Sequence, residues 1–232
     1  MTREQYSQPL ISHYIEHFLE EHFGEKPEQV TVTLRHPFLL IHLTDFILPT
    51  EKMFVERGQW KKVLEIRDLL MESVKNDLLA GLQQYSTGKL TNLYADWNLQ
   101  KKSGLLIATF EKNDWTDDFS WPPEVDEETL KEIIILNSMH TQKVPDQTNF
   151  YWLSEQILLI ERIGILIDIE KQLIEDGVTE KLRLAKRPLE LRIIRLFNLE
   201  TVLNGRVLDL FVDWDFKENI SYMVLFLEKR NG

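Results

Sequence analysis

The chain has 232 residues, of which 43% are apolar and 28% charged, and its formal net charge at pH 7 is −11. This composition is typical of a globular protein and excludes the disordered and fibrous classes. The negative charge opposes binding to nucleic acids and anionic membranes. The absence of cysteine excludes disulfides, thiolate catalysis and cysteine-ligated zinc. Because neither a signal peptide nor an apolar run of about twenty residues is recognisable, we expect a cytoplasmic protein without a transmembrane segment.

Hydrophobic periodicity over the first half of the chain predicts helices that alternate with β-hairpins. Apolar residues at three- and four-residue steps predict a first helix, which Gly24 and Pro27 end. Short apolar or alternating runs between polar turns predict strands. In chain order, the predicted elements are a helix at about 7–23, strands at 29–35 and 38–44, a helical stretch at 51–85 interrupted at Gly58 and ended by Gly88, and strands at 90–99 and 104–110.

The second half of the chain repeats this pattern. Residues 88–112 and 205–229 align without a gap around a shared Asp-Trp pair, and residues 51–58 match residues 170–177. We infer a tandem duplication. The second set of predicted elements is a helix at about 127–141, strands at 149–155 and 157–163, helices between 168 and 202, and strands at 206–216 and 221–228.

The repeat divides the chain into two units and a linker. The first unit is residues 1–112, the linker is residues 113–125 with a double proline, and the second, more divergent unit is residues 126–232. The order α-β-β-α-β-β predicts the α+β class, with an antiparallel sheet in each unit covered by helices on one face. Strands that are apolar on both faces require two covers. We therefore expect the second face of each sheet to pack on the other copy, with pseudo-two-fold symmetry, or on another chain.

A repeated aspartate is the first candidate for chemistry. Strand alternation places Trp97 and Trp214 on the helix-covered face. It places Asp96, Asp213 and Tyr94 on the opposite face. Two carboxylates related by a pseudo-dyad can act as an acid/base pair or hold a cation. The alternative is that they accept hydrogen bonds from nearby backbone and stabilise the strands.

A basic run in the second unit is the second candidate. The segment from Lys181 to Arg195 has a surplus of Lys and Arg, which the matching helix of the first unit lacks. Lys181, Arg183 and Arg187 are candidates to bind an anion, an acidic partner or an anionic surface. The alternative is a solvated helix face, divided or kinked at Pro188.

Two histidines of the first helix have a spacing that can chelate a metal. His13 and His17 lie one turn apart. The glutamate of an HExxH motif is missing, and the matched positions of the second unit are Glu132 and Leu136. We therefore interpret this face as solvated and predict no metal site.

Motifs of other functional classes are not recognisable in the sequence. It contains no glycine-rich nucleotide loop, no evident catalytic triad and no aromatic platform for RNA. We expect no cofactor, no nucleic-acid partner and no enzymatic activity.

Several segments of the first unit together carry a family resemblance. They are Ser12-His13-Tyr14 through Gly24, the hairpin of Thr-Val-Thr-Leu and Phe-Leu-Leu-Ile-His-Leu, the step Leu48-Pro49-Thr50-Glu51 into Glu56-Arg57-Gly58, and the long helix ending at Thr87-Gly88. In these segments the unit resembles the MpsC family, and the second unit resembles it more loosely. The resemblance implies a component of a sodium-translocating, membrane-potential-generating system, encoded in bacteria near a membrane system linked to bicarbonate uptake. It implies no catalytic residues.

This resemblance suggests a non-catalytic accessory or regulatory protein of a membrane ion-translocation or inorganic-carbon uptake system, acting through protein contacts. Its partners would be membrane transport subunits that hold it at the inner membrane, and a homodimer is an open alternative. The second hypothesis is a sensing module with a small anion or cation at the seam between the copies. Its candidate ligands are Asp96, Asp213, Tyr94, Lys181, Arg183 and Arg187.

Overall fold

A computed structural model of the chain describes residues 3–111, 119–194, 197 and 199–229. It divides into two units, Met1–Asp117 and Asp118–Gly232. Residues 113–118 of the predicted linker lie outside the described residues, as does Arg195 of the basic segment. Each unit is described separately below.

The first unit has the predicted order of elements, and its long helical stretch is interrupted at Gly58 as expected. Gly58 has a positive φ of 72° between the two helices, a conformation that favours glycine. The elements are α1 (Arg3–Phe23), β1 (Gln29–Arg35), β2 (Phe38–Thr44), α2 (Pro49–Glu56), α3 (Trp60–Gln83), β3 (Leu90–Asn98) and β4 (Ser103–Phe110).

The second unit repeats this order, with Gly177 at the position of Gly58 and a positive φ of 75°. Its elements are α4 (Glu127–Thr141), β5 (Gln147–Ser154), β6 (Ile157–Ile163), α5 (Asp168–Glu175), α6 (Thr179–Ile194), α7 (Leu199–Val202), β7 (Gly205–Asp215) and β8 (Ile220–Lys229).

Each unit contains one four-stranded antiparallel sheet, and the two sheets have the same strand order. The order is β1-β2-β4-β3 in the first unit and β5-β6-β8-β7 in the second. In each unit two local hairpins are therefore joined through their second strands, β2 with β4 and β6 with β8. The predicted α+β class is confirmed.

The structure differs from two details of the predicted helices. The helix α3 ends at Gln83, shortly before the predicted end at residue 85, and its C-cap is Gln84 instead of Gly88. The Gln83 side chain itself closes the following loop, since it donates to the Gly88 carbonyl (2.8 Å) and accepts from the Leu90 amide (2.8 Å). Pro188 does not divide its helix, because α6 continues to Ile194.

The predicted direction of the two tryptophans is confirmed. Trp97 and Trp214 are 3% and 2% exposed. The Trp97 ring lies 5.9 Å from that of Phe23 at the end of α1. A Cβ atom on Gly104, its neighbour on β4, would lie only 2.5 Å from Cε3 of the Trp97 indole. The glycine therefore makes room for the indole in the helix-covered core.

The opposite face of each sheet is buried as well. In the first unit, Leu40 and Leu105 are each 1% exposed; in the second, Leu159 and Val224 are each 0% exposed. The two-sided apolar pattern of these strands thus corresponds to burial on both faces.

Truncating either buried tryptophan should strongly destabilise its unit. We expect Trp97→Ala and Trp214→Ala each to lower the free energy of unfolding by about 3–5 kcal/mol, because each leaves a large cavity in a packed core. Chemical denaturation followed by circular dichroism measures the change. Trp60→Ala, at a half-buried position at the start of α3, is the control and should lose less. Equal losses at all three positions would contradict the assignment.

Candidate functional site

A buried cation beneath a tryptophan ties the elements of the first unit together. Arg67 of α3 is 1% exposed. Its Nε and one terminal nitrogen donate to the two carboxylate oxygens of Glu51 at 2.7 and 2.6 Å. Its guanidinium carbon lies 4.6 Å from the centre of the Trp97 ring, and it also donates to the Phe46 carbonyl at 3.1 Å. A bidentate Arg–carboxylate pair stacked on an aromatic ring is a strong and specific arrangement.

The second unit has the same arrangement with lysine in place of arginine. Lys186 of α6 donates to Glu170 at 2.8 Å, and its Nζ lies 5.4 Å from the centre of the Trp214 ring. Gln142 donates to the other carboxylate oxygen at 2.9 Å. Lys186 and Glu170 are 4% and 6% exposed.

The carboxylate of each pair also begins a helix. Glu51 accepts the amide of Leu48 at 2.9 Å, and Glu170 accepts the amide of Ile167 at 3.2 Å. Amides at a helix N-terminus lack partners within the helix, and a glutamate in its first turn can reach back to satisfy one of them. One carboxylate thus connects the start of a helix, a buried cation and, through that cation, the indole.

The second unit contains a further buried ionic group. Among the described residues, the first unit has no counterpart of it. Arg162 of β6 and Glu190 of α6 are 0% and 1% exposed and are joined at 2.7 Å. The remaining guanidinium nitrogens donate to the hydroxyls of Ser221 (2.9 Å) and Ser138 (3.2 Å). The strand register shows that Arg162 lies opposite Ser221, which lies opposite Trp214.

The corresponding positions of the first unit are apolar. Leu43 lies opposite Gly104, which lies opposite Trp97, in the same register. Leu43, Leu19 and Met71 stand where the second unit has Arg162, Ser138 and Glu190, and all three are buried. At these three positions the core of the second unit therefore has a hydrogen-bonded ionic group, whereas the core of the first unit has apolar side chains.

The repeated aspartates have a local structural role in both units. Asp96 and Asp213 are 3% and 4% exposed. Each accepts the amide of the tryptophan that follows it at 2.8 Å. These contacts agree with the alternative in which the aspartates stabilise their strands. Tyr94, beside Asp96, is buried, with Nζ of Lys75 5.9 Å from its ring centre.

The predicted basic segment divides between the surface and the core. Lys181 is exposed, whereas Lys186 and Arg187 are 4% and 2% exposed. The interpretation as a solvated face is wrong for these two residues, because α6 turns them inward, and Lys186 pairs with Glu170.

One pair of candidate residues is brought together. Arg183 forms an ion pair with Asp213 and donates to the Trp214 carbonyl at 3.4 Å. Its guanidinium carbon lies 5.4 Å from the centre of the Phe216 ring. The position of α3 that corresponds to Arg183 is Leu64, so this pair belongs to the second unit.

Next to Asp213, a polar row crosses the second sheet. Asn149, Glu161, Tyr222 and Asp213 lie opposite one another on successive strands. Glu161 is 5% exposed and accepts from Asn149 (2.8 Å), Tyr151 (3.2 Å) and Tyr222 (3.3 Å). Burial, together with the Glu161 charge, raises the pKa of the Tyr151 hydroxyl. The same row of the first sheet is Thr31, His42, Leu105 and Asp96.

The histidine pair of α1 is exposed, as predicted. His13 and His17 are in contact, with their Nε2 atoms 3.1 Å apart. Within the described ranges, no group of three or more His, Asp or Glu side chains is placed to hold a metal ion. In the same part of the chain, no helix combines the length and apolar character needed to cross a membrane.

The buried ion pairs are the features that residue-by-residue reasoning about the sequence missed. Apart from Arg162 of β6, each charge falls within a helix that also carries exposed charges, so no single helix reveals it. The signal lay in the repeat, because Glu51, Arg67 and Trp97 recur as Glu170, Lys186 and Trp214.

Comparison with known proteins gives a family match for the first unit. Residues 3–112 match the family described as Na+-translocating membrane potential-generating system (MpsC). This match covers α1 to β4 and confirms the resemblance of the first unit; it does not extend to the second. No curated protein and no solved structure matches the chain.

Breaking the ionic group of the second core should cost more than replacing it. Arg162→Leu leaves Glu190 buried without its cation, so we expect the free energy of unfolding to fall by about 3–5 kcal/mol. Arg162→Leu/Glu190→Met copies the apolar pair of the first unit and should recover most of that loss. Urea denaturation monitored by circular dichroism compares the variants. A double variant as unstable as the single one would contradict the interpretation.

The lysine beneath Trp214 should make stability depend on pH. Burial lowers the pKa of Lys186 below its usual 10.5, although Glu170 opposes the shift. Between the lowered value and 10.5 the folded state has released this proton while the unfolded chain still holds it. Because the unfolded state then binds more protons, the free energy of unfolding rises with pH in this window.

The measurement compares the wild type with Lys186→Arg, which removes this titration. We expect the wild type to gain stability relative to the variant as pH rises toward 10.5, a range over which arginine stays charged. Lys181→Arg, at an exposed position of the same helix, is the control and should show no such trend. If the difference in the free energy of unfolding between the wild type and Lys186→Arg stays constant with pH, the lysine does not make stability depend on pH.

Proposed function

We propose that this protein is a non-catalytic accessory or regulatory component of a membrane ion-translocation or inorganic-carbon uptake system and acts through protein contacts. The observation that carries the proposal is the match of residues 3–112 to a family described as part of a Na+-translocating system. Its working place would be the cytoplasmic side of the membrane, where a transport subunit holds it.

The candidate ligand residues already make hydrogen bonds and ion pairs within the chain. This supports a role that is carried out through contacts with another protein. Asp96 and Asp213 each accept a backbone amide of their own strand, and Arg183 forms an ion pair with Asp213. Lys186 is committed to Glu170. Groups fixed in this way stabilise the fold, so recognition of a partner falls to the exposed surface.

The first unit offers such a surface on α3. Ile66 and Leu69, three residues apart on this helix, are 56% and 58% exposed. Residues at this spacing lie on the same side of a helix, and both fall within the matched residues 3–112. The corresponding residues of α6 are Ala185 and Pro188, so the apolar pair belongs to the first unit. We assign this surface to the transport subunit.

The test is removal of the gene from its native host, followed by complementation. Deletion should lower the sodium-dependent membrane potential, read with a voltage-sensitive dye, or make growth depend on added bicarbonate. The wild-type chain should restore the phenotype and co-purify with a membrane transport subunit, whereas Ile66→Asp/Leu69→Asp should do neither while remaining folded. Normal potential and normal carbon dependence in the deletion strain would refute the proposal.

A sensing module is the second candidate function. The pair of half-buried Arg183 and buried Asp213, beside the Glu161 group, favours it, since both belong to the divergent second unit. A ligand that binds the folded state raises its melting temperature. Thermal-shift measurements against bicarbonate, phosphate, nucleotides and divalent cations test it, with Arg183→Ala as the control. A flat response across these compounds would exclude sensing of these ligands.

A further inference from the structure

The helix α4 exposes an apolar surface that its counterpart in the first unit lacks. Ile135, Leu136 and Met139 are 38%, 43% and 54% exposed. They lie within about one helical turn of one another, so they form one patch. We call these three residues the α4 patch.

The first unit shows what a solvated version of this surface looks like. The positions of α1 that correspond to Ile135, Leu136 and Met139 are Glu16, His17 and Glu20. His17 and Glu20 are exposed and Glu16 is half-buried, on a helix in the same place in the same fold. The fold itself therefore does not require apolar residues here.

The charges around the α4 patch indicate its occupant. Glu128 and Glu132 are exposed on the N-terminal side of the patch, and His140 is exposed on the C-terminal side. Lys131 is already paired with Glu127 on the same helix. The exposed acidic groups thus lie at one end and a basic group at the other, with the apolar residues between them.

We infer that α4 pairs with α4 of a second copy of this chain, antiparallel about a two-fold axis at Leu136. An isologous contact of this kind joins the same patch on both chains. The antiparallel direction places Glu132 of one chain near His140 of the other, twice over, and packs Met139 of each chain beside Ile135 of the other. This surface is separate from Ile66 and Leu69 of α3, so the dimer does not depend on the proposed function.

The size of the α4 patch sets the expected affinity of the dimer. Stable interfaces bury about 1,200–2,000 Å² in total, and one pair of short helices buries less than that. The dimer is therefore weak, with a dissociation constant on the order of 10 μM or higher. It forms at high local concentration and exchanges readily.

The first experiment transfers the surface of α1 onto α4. Ile135→Glu/Leu136→His/Met139→Glu copies the residues that the same helix position tolerates in the first unit, so folding should be retained. Sedimentation velocity over a concentration series should show dimer formation for the wild type and at least about tenfold weaker association for the variant. Ile66→Asp/Leu69→Asp, the matched control for lost apolar surface, should associate like the wild type. A wild type that is monomeric throughout, or a variant that still dimerises, would overturn the inference.

The second experiment tests the position of the axis. The chain has no cysteine, so Leu136→Cys introduces the only thiol, and on a two-fold axis this thiol faces its own copy. Mild oxidation should link two chains through it. Ser73→Cys, at an exposed position of α3, should stay unlinked. Equal linking at both positions would indicate random collision and overturn the assigned axis.

The third experiment tests the direction of the helices. Glu132→Arg should weaken association by about threefold, because it removes the carboxylate that faces His140 across the axis. Adding His140→Glu to that variant should restore it, because the exchanged charges again face each other in an antiparallel pair. A double variant weaker than the single one would exclude the antiparallel arrangement.

Discussion

Each unit of this protein depends on a cation buried between a carboxylate and an indole. Placing a charge in a core is unfavourable unless its hydrogen bonds are satisfied. Arg67 is held by both oxygens of Glu51, the Phe46 carbonyl and the ring of Trp97, although its Nη1 is buried without a hydrogen-bond partner. The loop before α2, the long helix and the sheet must therefore all be in place together. Lys186 imposes the same condition on the second unit with fewer donors, and a lysine can lose its proton where an arginine cannot.

The two units have diverged in both their interior and their surface. In the interior, Arg162 and Glu190 occupy places that are apolar in the first unit. On the surface, apolar residues of α4 occupy places that are charged or polar in α1. Both changes lie on elements with the same position in the fold, so the fold tolerates them. The family match likewise covers the first unit alone.

Much of the fold could be predicted, because strands are recognisable from the alternation of apolar and polar residues along them. The hairpin of β1 and β2 and the burial of Trp97 follow from a period of two, which a single-residue shift would reverse. The ends of α3 and the continuity of α6 through Pro188 could not be predicted, since a side chain of Gln83 and tertiary packing decide them. The buried charges of α6 also escaped prediction. Helical spacing identifies which residues share a face, but a lysine on that face is buried only if a carboxylate from another element meets it.

The strand order carries a risk for a chain with two units of the same topology. The central pairing of each sheet joins hairpins that are distant in sequence, so a hairpin of one unit could pair with the wrong unit during folding, a known failure of tandem repeats. Correct pairing places Arg162 beside Ser221, whose hydroxyl accepts its hydrogen bond. In an exchanged pairing β6 would meet β4, and Arg162 would lie opposite Gly104, which has no side chain to accept a hydrogen bond. The ionic core of the second unit thus favours the pairing of its own strands, and the difference between the two cores opposes an exchange of hairpins between the units.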